Sequence, residues 1–147
     1  MSSIEEKLDV EGKLPPYYCR YVDDTLNVMP DLSTTARDFL NTLNHAHPAI
    51  KFTMEVENDG MFPFLDLQLP NRAPLIETKV FVKPANSGLL LHYQSHVDNR
   101  YKRGLLTTVL DRVYRLSSSW SYFTEECGHL KSVFSKLKYP KHLVDSC

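Results

Sequence analysis

Asp23 and Asp24 are adjacent, and they are the residues of this sequence best suited to carry out chemistry. Neighbouring carboxylates repel, so a site that keeps both ionised needs a cation, and a hard divalent ion such as Mg²⁺ prefers carboxylate oxygen. A second kind of chemistry is phosphate binding. Lys79 and Lys83 lie two strand repeats apart, and Arg100, Lys102, Arg103, Arg112 and Arg115 gather in one later stretch.

These groups need elements to hold them. Tyr17, Tyr18, Tyr21 and Val22 favour one strand, and Thr25, Leu26 and Val28 favour another, so the aspartates are expected in the turn of a β-hairpin. A solvated acidic turn fits the same pattern. Before it, Ser2 or Ser3 followed by Glu5 or Glu6 is a capping-box pattern for a short helix over residues 4–10, stopped by Gly12 and the pair Pro15 and Pro16. After it, Ser33 is placed to cap a helix with Ala36, Phe39, Leu40 and Leu43 on one face. His45 and His47 lack a third ligand and read as a solvated helix end.

The period then changes to two. Ile50, Phe52, Met54 and Val56 alternate with polar residues, Asn58, Asp59 and Gly60 signal a turn, and MFPFLDLQL continues with Leu65, Leu67 and Leu69 on one face. Residues 75–83 alternate again and set Lys79 and Lys83 on a common face. Three strands in a meander are expected. Residues 84–98 read as a loop. From Asn99 the apolar positions Leu105, Leu106, Val109, Leu110, Val113 and Leu116 return to a helical period, ended by residues 117–119. A second helix is expected near Ser121, weakened by Gly128, and Tyr139 and Pro140 open a short third one. Trp120 and Tyr122 are expected to pack between the helices rather than to serve as base-stacking platforms.

A length of 147 residues suits one domain or a piece of a larger one, and a hydrophobic content of 42% supports a core. Residues 1–99 carry eight Lys and Arg against fourteen Asp and Glu, whereas residues 100–147 carry nine against four. The basic excess at the end suits a nucleic-acid backbone, although a solvated helical face produces a similar balance. Cys19, Cys127 and Cys147 are widely spaced without a CxxC pair, which argues for reduced thiols inside a cell rather than a zinc site or disulfide framework. No apolar run is long enough to span a bilayer, so no membrane partner is expected. The start, MSSIEEKLDVEGK, is too acidic and polar for a signal or transit peptide.

Tyr21, Val22, Asp23 and Asp24 match the Tyr-x-Asp-Asp signature of reverse transcriptases. The blocks RYVDDTL, FLDLQL and TKVFVKP resemble the Penelope-like retroelements, in that family's order, over residues 18–144. Within the later loop Lys83 and Pro84, Tyr93, Ser95, His96 and Lys102 correspond to a family block, with Val97 where a proline is usual. The resemblance implies an RNA-directed DNA polymerase of α+β class. Asp23 and Asp24 would be its catalytic metal ligands, holding Mg²⁺, or Mn²⁺ in its place, and Tyr21 would lie beside the primer end. The RNA template and DNA primer duplex would be gripped through phosphates by Lys79, Lys83, Arg100, Lys102, Arg103, Arg112 and Arg115. It also implies a nuclear location. Asp66, in the FLDL block, corresponds to the sheet extension and not to the family's third metal ligand.

Only 22 residues precede Asp23, too few for the family's fingers, nucleotide-binding block and third aspartate. The expected organisation is a connector over residues 1–16, a partial palm over 17–83, a loop over 84–98 and a helical thumb over 99–147. Such a fragment is expected to be inactive alone, lacking the remaining palm and fingers. The alternative is a non-catalytic nucleic-acid-binding remnant with a helix-turn-helix-like end, and a decayed reading frame without a selected role remains a third expectation.

Overall fold

Helix α1 (Ser2–Val10) forms around Ile4 and Leu8, one turn apart and both buried. Gly12 ends it at φ +64°, where its N–H bonds to the Asp9 carbonyl and the Lys13 N–H to the Leu8 carbonyl, each at 2.9 Å. Those two bonds are the Schellman closure, which needs the left-handed backbone that glycine adopts without penalty. Strands β1 (Tyr17–Tyr21) and β2 (Asp24–Val28) then pair antiparallel, with Tyr17 opposite Val28 and Tyr21 opposite Asp24. Helix α2 (Ser33–Ala46) buries Phe39 and Leu43, again one turn apart, against Ile4 and Leu8.

The computed structural model describes residues 2–30, 33–83 and 90–146, with the side chains of Ser2, Ser3 and Ser33 excepted, so the capping roles expected of those serines lie outside the described residues. The chain forms two compact units, Met1–Val56 and Glu57–Cys147. The division falls inside the segment expected as palm.

In the first unit, Glu5 ties α1 to the hairpin. Its Oε1 accepts from Tyr18 Oη at 2.8 Å and from Arg20 Nε at 2.6 Å. Burial works against the Glu5 carboxylate, but the hydrogen bonds from Arg20 and Tyr18 outweigh it and hold the carboxyl below its usual pKa. Burial, and then the same carboxylate, push the Tyr18 hydroxyl up to about 12.

The second unit opens with strands β3 (Met61–Phe64), β4 (Leu67–Arg72), β5 (Leu75–Ile76) and β6 (Lys79–Val80). β4 is central, paired with β3 along one side and with β5 and β6 along the other, all antiparallel. Helices α3 (Asn99–Leu116), α4 (Trp120–Lys136) and α5 (Lys141–Asp145) follow. Leu106 and Val113 of α3 meet Leu130 and Phe134 of α4 and the buried Tyr139, and Val80 packs against this cluster. The class is α+β.

Several expected strands are different. Residues 50–56 form no strand, although Ile50 and Phe52 do pack against the helical cluster of the first unit. The side-chain amide of Asn44 takes both backbone groups of Phe52, accepting its N–H at 2.7 Å and donating to its carbonyl at 3.2 Å. No ladder then continues, and Val56 is 66% exposed. MFPFLDLQL is two strands rather than one, because the chain reverses at Leu65 and Asp66, with Leu65 at φ +56°. Folding back lets each half supply the other's backbone hydrogen bonds. The last expected strand breaks into β5 and β6, and β6 stops at Val80, so no strand face carries both Lys79 and Lys83. The turn at Asp59 and Gly60 forms where expected, both with positive φ, closing a bridge between Asn58 and Met61.

Candidate nucleic-acid interface

Helices α3 and α4 are joined by residues 117–119, and the sheet holds that junction. Ser118 N–H donates to the Thr78 carbonyl at 2.9 Å, and Thr78 N–H donates to Ser118 Oγ at 2.9 Å. Asp98 caps α3 by accepting the Arg100 N–H at 2.7 Å. Ser119 caps α4 by accepting from the Tyr122 N–H at 3.3 Å. At the far end Lys138 takes φ +63°, and the Tyr139 N–H reaches the Phe134 carbonyl at 3.0 Å. This is the closure seen after α1, made with a lysine where a glycine fits best.

The structure sorts the basic residues of α3 into three kinds. Lys102 is 5% exposed, its Nζ donating to the Ser95 carbonyl at 2.8 Å and lying 5.1 Å from the Tyr93 ring centroid. It pins the preceding loop to α3 and does not face solvent with the others. Arg112 pairs with Asp66 at 3.0 Å and Arg115 with Asp111 at 2.8 Å, so each positive charge is matched within the unit. Arg100 and Arg103 are exposed, and no carboxylate pairs with either among the described residues. Arg100 instead lies over the Tyr101 ring, 5.0 Å from its centroid.

The two sheet lysines also separate. Lys79 is half-buried with its Nζ 5.6 Å from the Tyr122 ring centroid, and Lys83 is exposed beyond β6. Tyr122 Oη donates to Glu77 at 2.6 Å, and this bond, with some burial, raises the hydroxyl pKa. Tyr122 is half-buried, but it lies against Glu77 and Lys79 rather than between the helices. Trp120 does not pack there either: it is 72% exposed. α4 starts at Trp120, one residue earlier than the sequence suggests, and in this first turn Trp120 lies against Phe123 with its other side in water.

At the hairpin the turn falls on Val22 and Asp23, one residue before the expected position, and Asp24 is already in β2 opposite Tyr21. Tyr21, Asp23 and Asp24 are all exposed. Val22 has φ +53°, a conformation that strains a β-branched residue by about 1–3 kcal/mol. Asp23 borders a shallow recess with Ile50, Lys51 and Phe52. Among the described residues no three His, Cys, Asp or Glu side chains gather into a group able to hold a metal ion. Mg²⁺ is usually held by one or two carboxylates with waters and substrate phosphates completing its octahedron, and Asp23 and Asp24 are the two neighbouring carboxylates at this turn. Asp66, paired with Arg112, lies in the other unit.

A family model described as an animal helix-turn-helix domain matches residues 89–147, the segment that contains α3, α4 and α5. No curated protein and no solved structure matches the chain. No helix among the described residues is long and apolar enough to cross a membrane.

Proposed function

We propose that this chain is a nucleic-acid-binding protein that holds a duplex through its phosphates with the helical segment of residues 89–147. The observation that carries the reading is the match of that segment to an animal helix-turn-helix domain. Its excess of basic residues supports it, and Arg100 and Arg103 supply exposed guanidinium groups that no carboxylate among the described residues neutralises. α4 brings no Arg, Asn or Gln to its outer face, which favours contact with the backbone over reading of bases. Binding is therefore sequence-tolerant and falls steeply with salt, because each phosphate contact releases condensed counterions. Fluorescence anisotropy with a labelled duplex at several salt concentrations tests this. A log affinity that does not decline with log salt overturns it.

A second reading, favoured by the strained Val22 turn that presents Asp23, makes the chain the rear part of a Penelope-like reverse transcriptase. Asp23 and Asp24 then contribute carboxylates to a Mg²⁺ site completed by palm residues outside the described ones, and Tyr21 lies beside the primer. The isolated chain is not expected to polymerise. Template-primed synthesis by the purified chain, abolished by Asp23→Asn, would show the expectation wrong. An open frame continuing upstream into an aspartate-bearing strand would support the reading, and its absence would remove it.

A further inference from the structure

Tyr114, Phe123 and Trp120 form a row of rings at the corner where α3 gives way to α4. Phe123 is the inner ring, packed against the core cluster of the second unit. Trp120 lies against it at 4.9 Å between centroids with the planes tilted by 35°, and Tyr114 meets it edge-on at 5.9 Å and 89°. The outer two rings remain in water, Trp120 at 72% and Tyr114 at 65% exposure. Leaving two large rings exposed forgoes the stabilisation their burial would bring, and Phe123 holds them on a rigid base.

The surroundings indicate what covers them. In α3 a residue eleven positions on returns to almost the same face after three turns, so Arg103 and Tyr114 share a face, with Arg100 beside them. The arginines stand at the N-terminal end of that face and the rings at its C-terminal end, separated by roughly 16 Å at 1.5 Å rise per residue. A cationic track leading to exposed aromatic faces is the arrangement that binds single-stranded nucleic acid, the phosphates following the cations and the bases stacking on the rings.

We propose that Trp120, with Tyr114 beside it, is a stacking platform for an unpaired nucleobase at the end of a duplex whose backbone runs over Arg100 and Arg103. This rests on the duplex-binding reading and extends it to a junction between paired and unpaired strands. Every base has a π-face, so the platform tolerates sequence.

Trp120 is the single tryptophan of the chain, which makes its fluorescence a direct report on the platform. The full chain is titrated with a blunt duplex, with the same duplex carrying an unpaired tail of about four nucleotides at either end polarity, and with the tail alone. Affinity is read from a label on the nucleic acid. The tailed duplex is expected to bind roughly ten-fold more tightly than the blunt one and to quench Trp120. W120L should erase the advantage of the tail while blunt-duplex affinity stays the same, and W120F should restore most of it. A tail that gives no advantage, or an advantage that survives W120L, overturns the platform. Failure of every duplex to bind overturns the duplex reading and this proposal with it, whereas a blunt duplex that binds as well as the tailed one overturns the platform alone.

Discussion

Arg112 Nη2 lies 3.0 Å from Asp66 Oδ2, joining α3 to the turn between β3 and β4. Both side chains are largely exposed, 49% and 66%, so the pair contributes little to stability, on the order of 0–1 kcal/mol. Its larger effect is electrostatic, since it matches a charge that the sequence alone offers to phosphate.

The arginines should therefore be unequal in duplex binding. Arg100→Ala and Arg103→Ala are each expected to lower affinity several-fold and to reduce the salt slope by about one. Arg112→Ala and Arg115→Ala should do less. Asp66→Asn frees the Arg112 guanidinium and should raise low-salt affinity. Anisotropy across a salt series ranks the variants, and an Asp66→Asn protein that binds more weakly would contradict this account.

Lys102 is a structural cation. Lys102→Met keeps the stem but loses a charge-assisted hydrogen bond to the Ser95 carbonyl and the contact with Tyr93. The expected loss is about 2 kcal/mol in urea unfolding followed by circular dichroism, with binding per folded molecule little changed. Unchanged stability together with weakened binding would instead make it a phosphate ligand.

The junction between α1 and the hairpin has a pH window. Glu5 is depressed in the folded state, so its contribution is present above the unfolded carboxylate value of about 4.3 and is lost as pH falls through the folded value. Tyr18 is raised to about 12, so its contribution is present below the unfolded value of about 10 and is lost as pH rises toward the folded one. Glu5→Gln should remove the acid edge and only lessen the alkaline one, whose larger cause is the burial of Tyr18, in a series of melts from pH 3 to about 11. An unaltered profile would exclude the triad of Glu5, Tyr18 and Arg20 as its cause.

Two backbone positions are open to improvement. Gly128 sits inside α4 with nothing within 4 Å of an added Cβ, so Gly128→Ala should stabilise by about 1 kcal/mol. Lys138 occupies the left-handed closure of α4, and Lys138→Gly should relieve about 1 kcal/mol of strain. Thermal melts check both, and a lower Tm for Lys138→Gly would mean that its side chain supports the closure.

The helices were legible because their signals are local. Apolar residues one turn apart, Ile4 with Leu8 and Phe39 with Leu43, mark a face wherever the chain goes, and Gly12 marks an end by its backbone freedom alone. The hairpin pair of Asp23 and Asp24 and the basic excess of the last third were equally plain as residue types.

Partners were decided only by tertiary structure, because a period of two does not say which strand, if any, lies alongside. Residues 50–56 alternate without pairing, since Asn44 takes the Phe52 backbone groups, and the FLDL run folds back on itself to complete its own ladder. Five neighbouring cations of α3 likewise read alike in sequence. Their fates diverge because burial, Asp66, Asp111 and open solvent are assigned by what the fold sets beside each one: Lys102 inward, Arg112 and Arg115 matched, Arg100 and Arg103 outward.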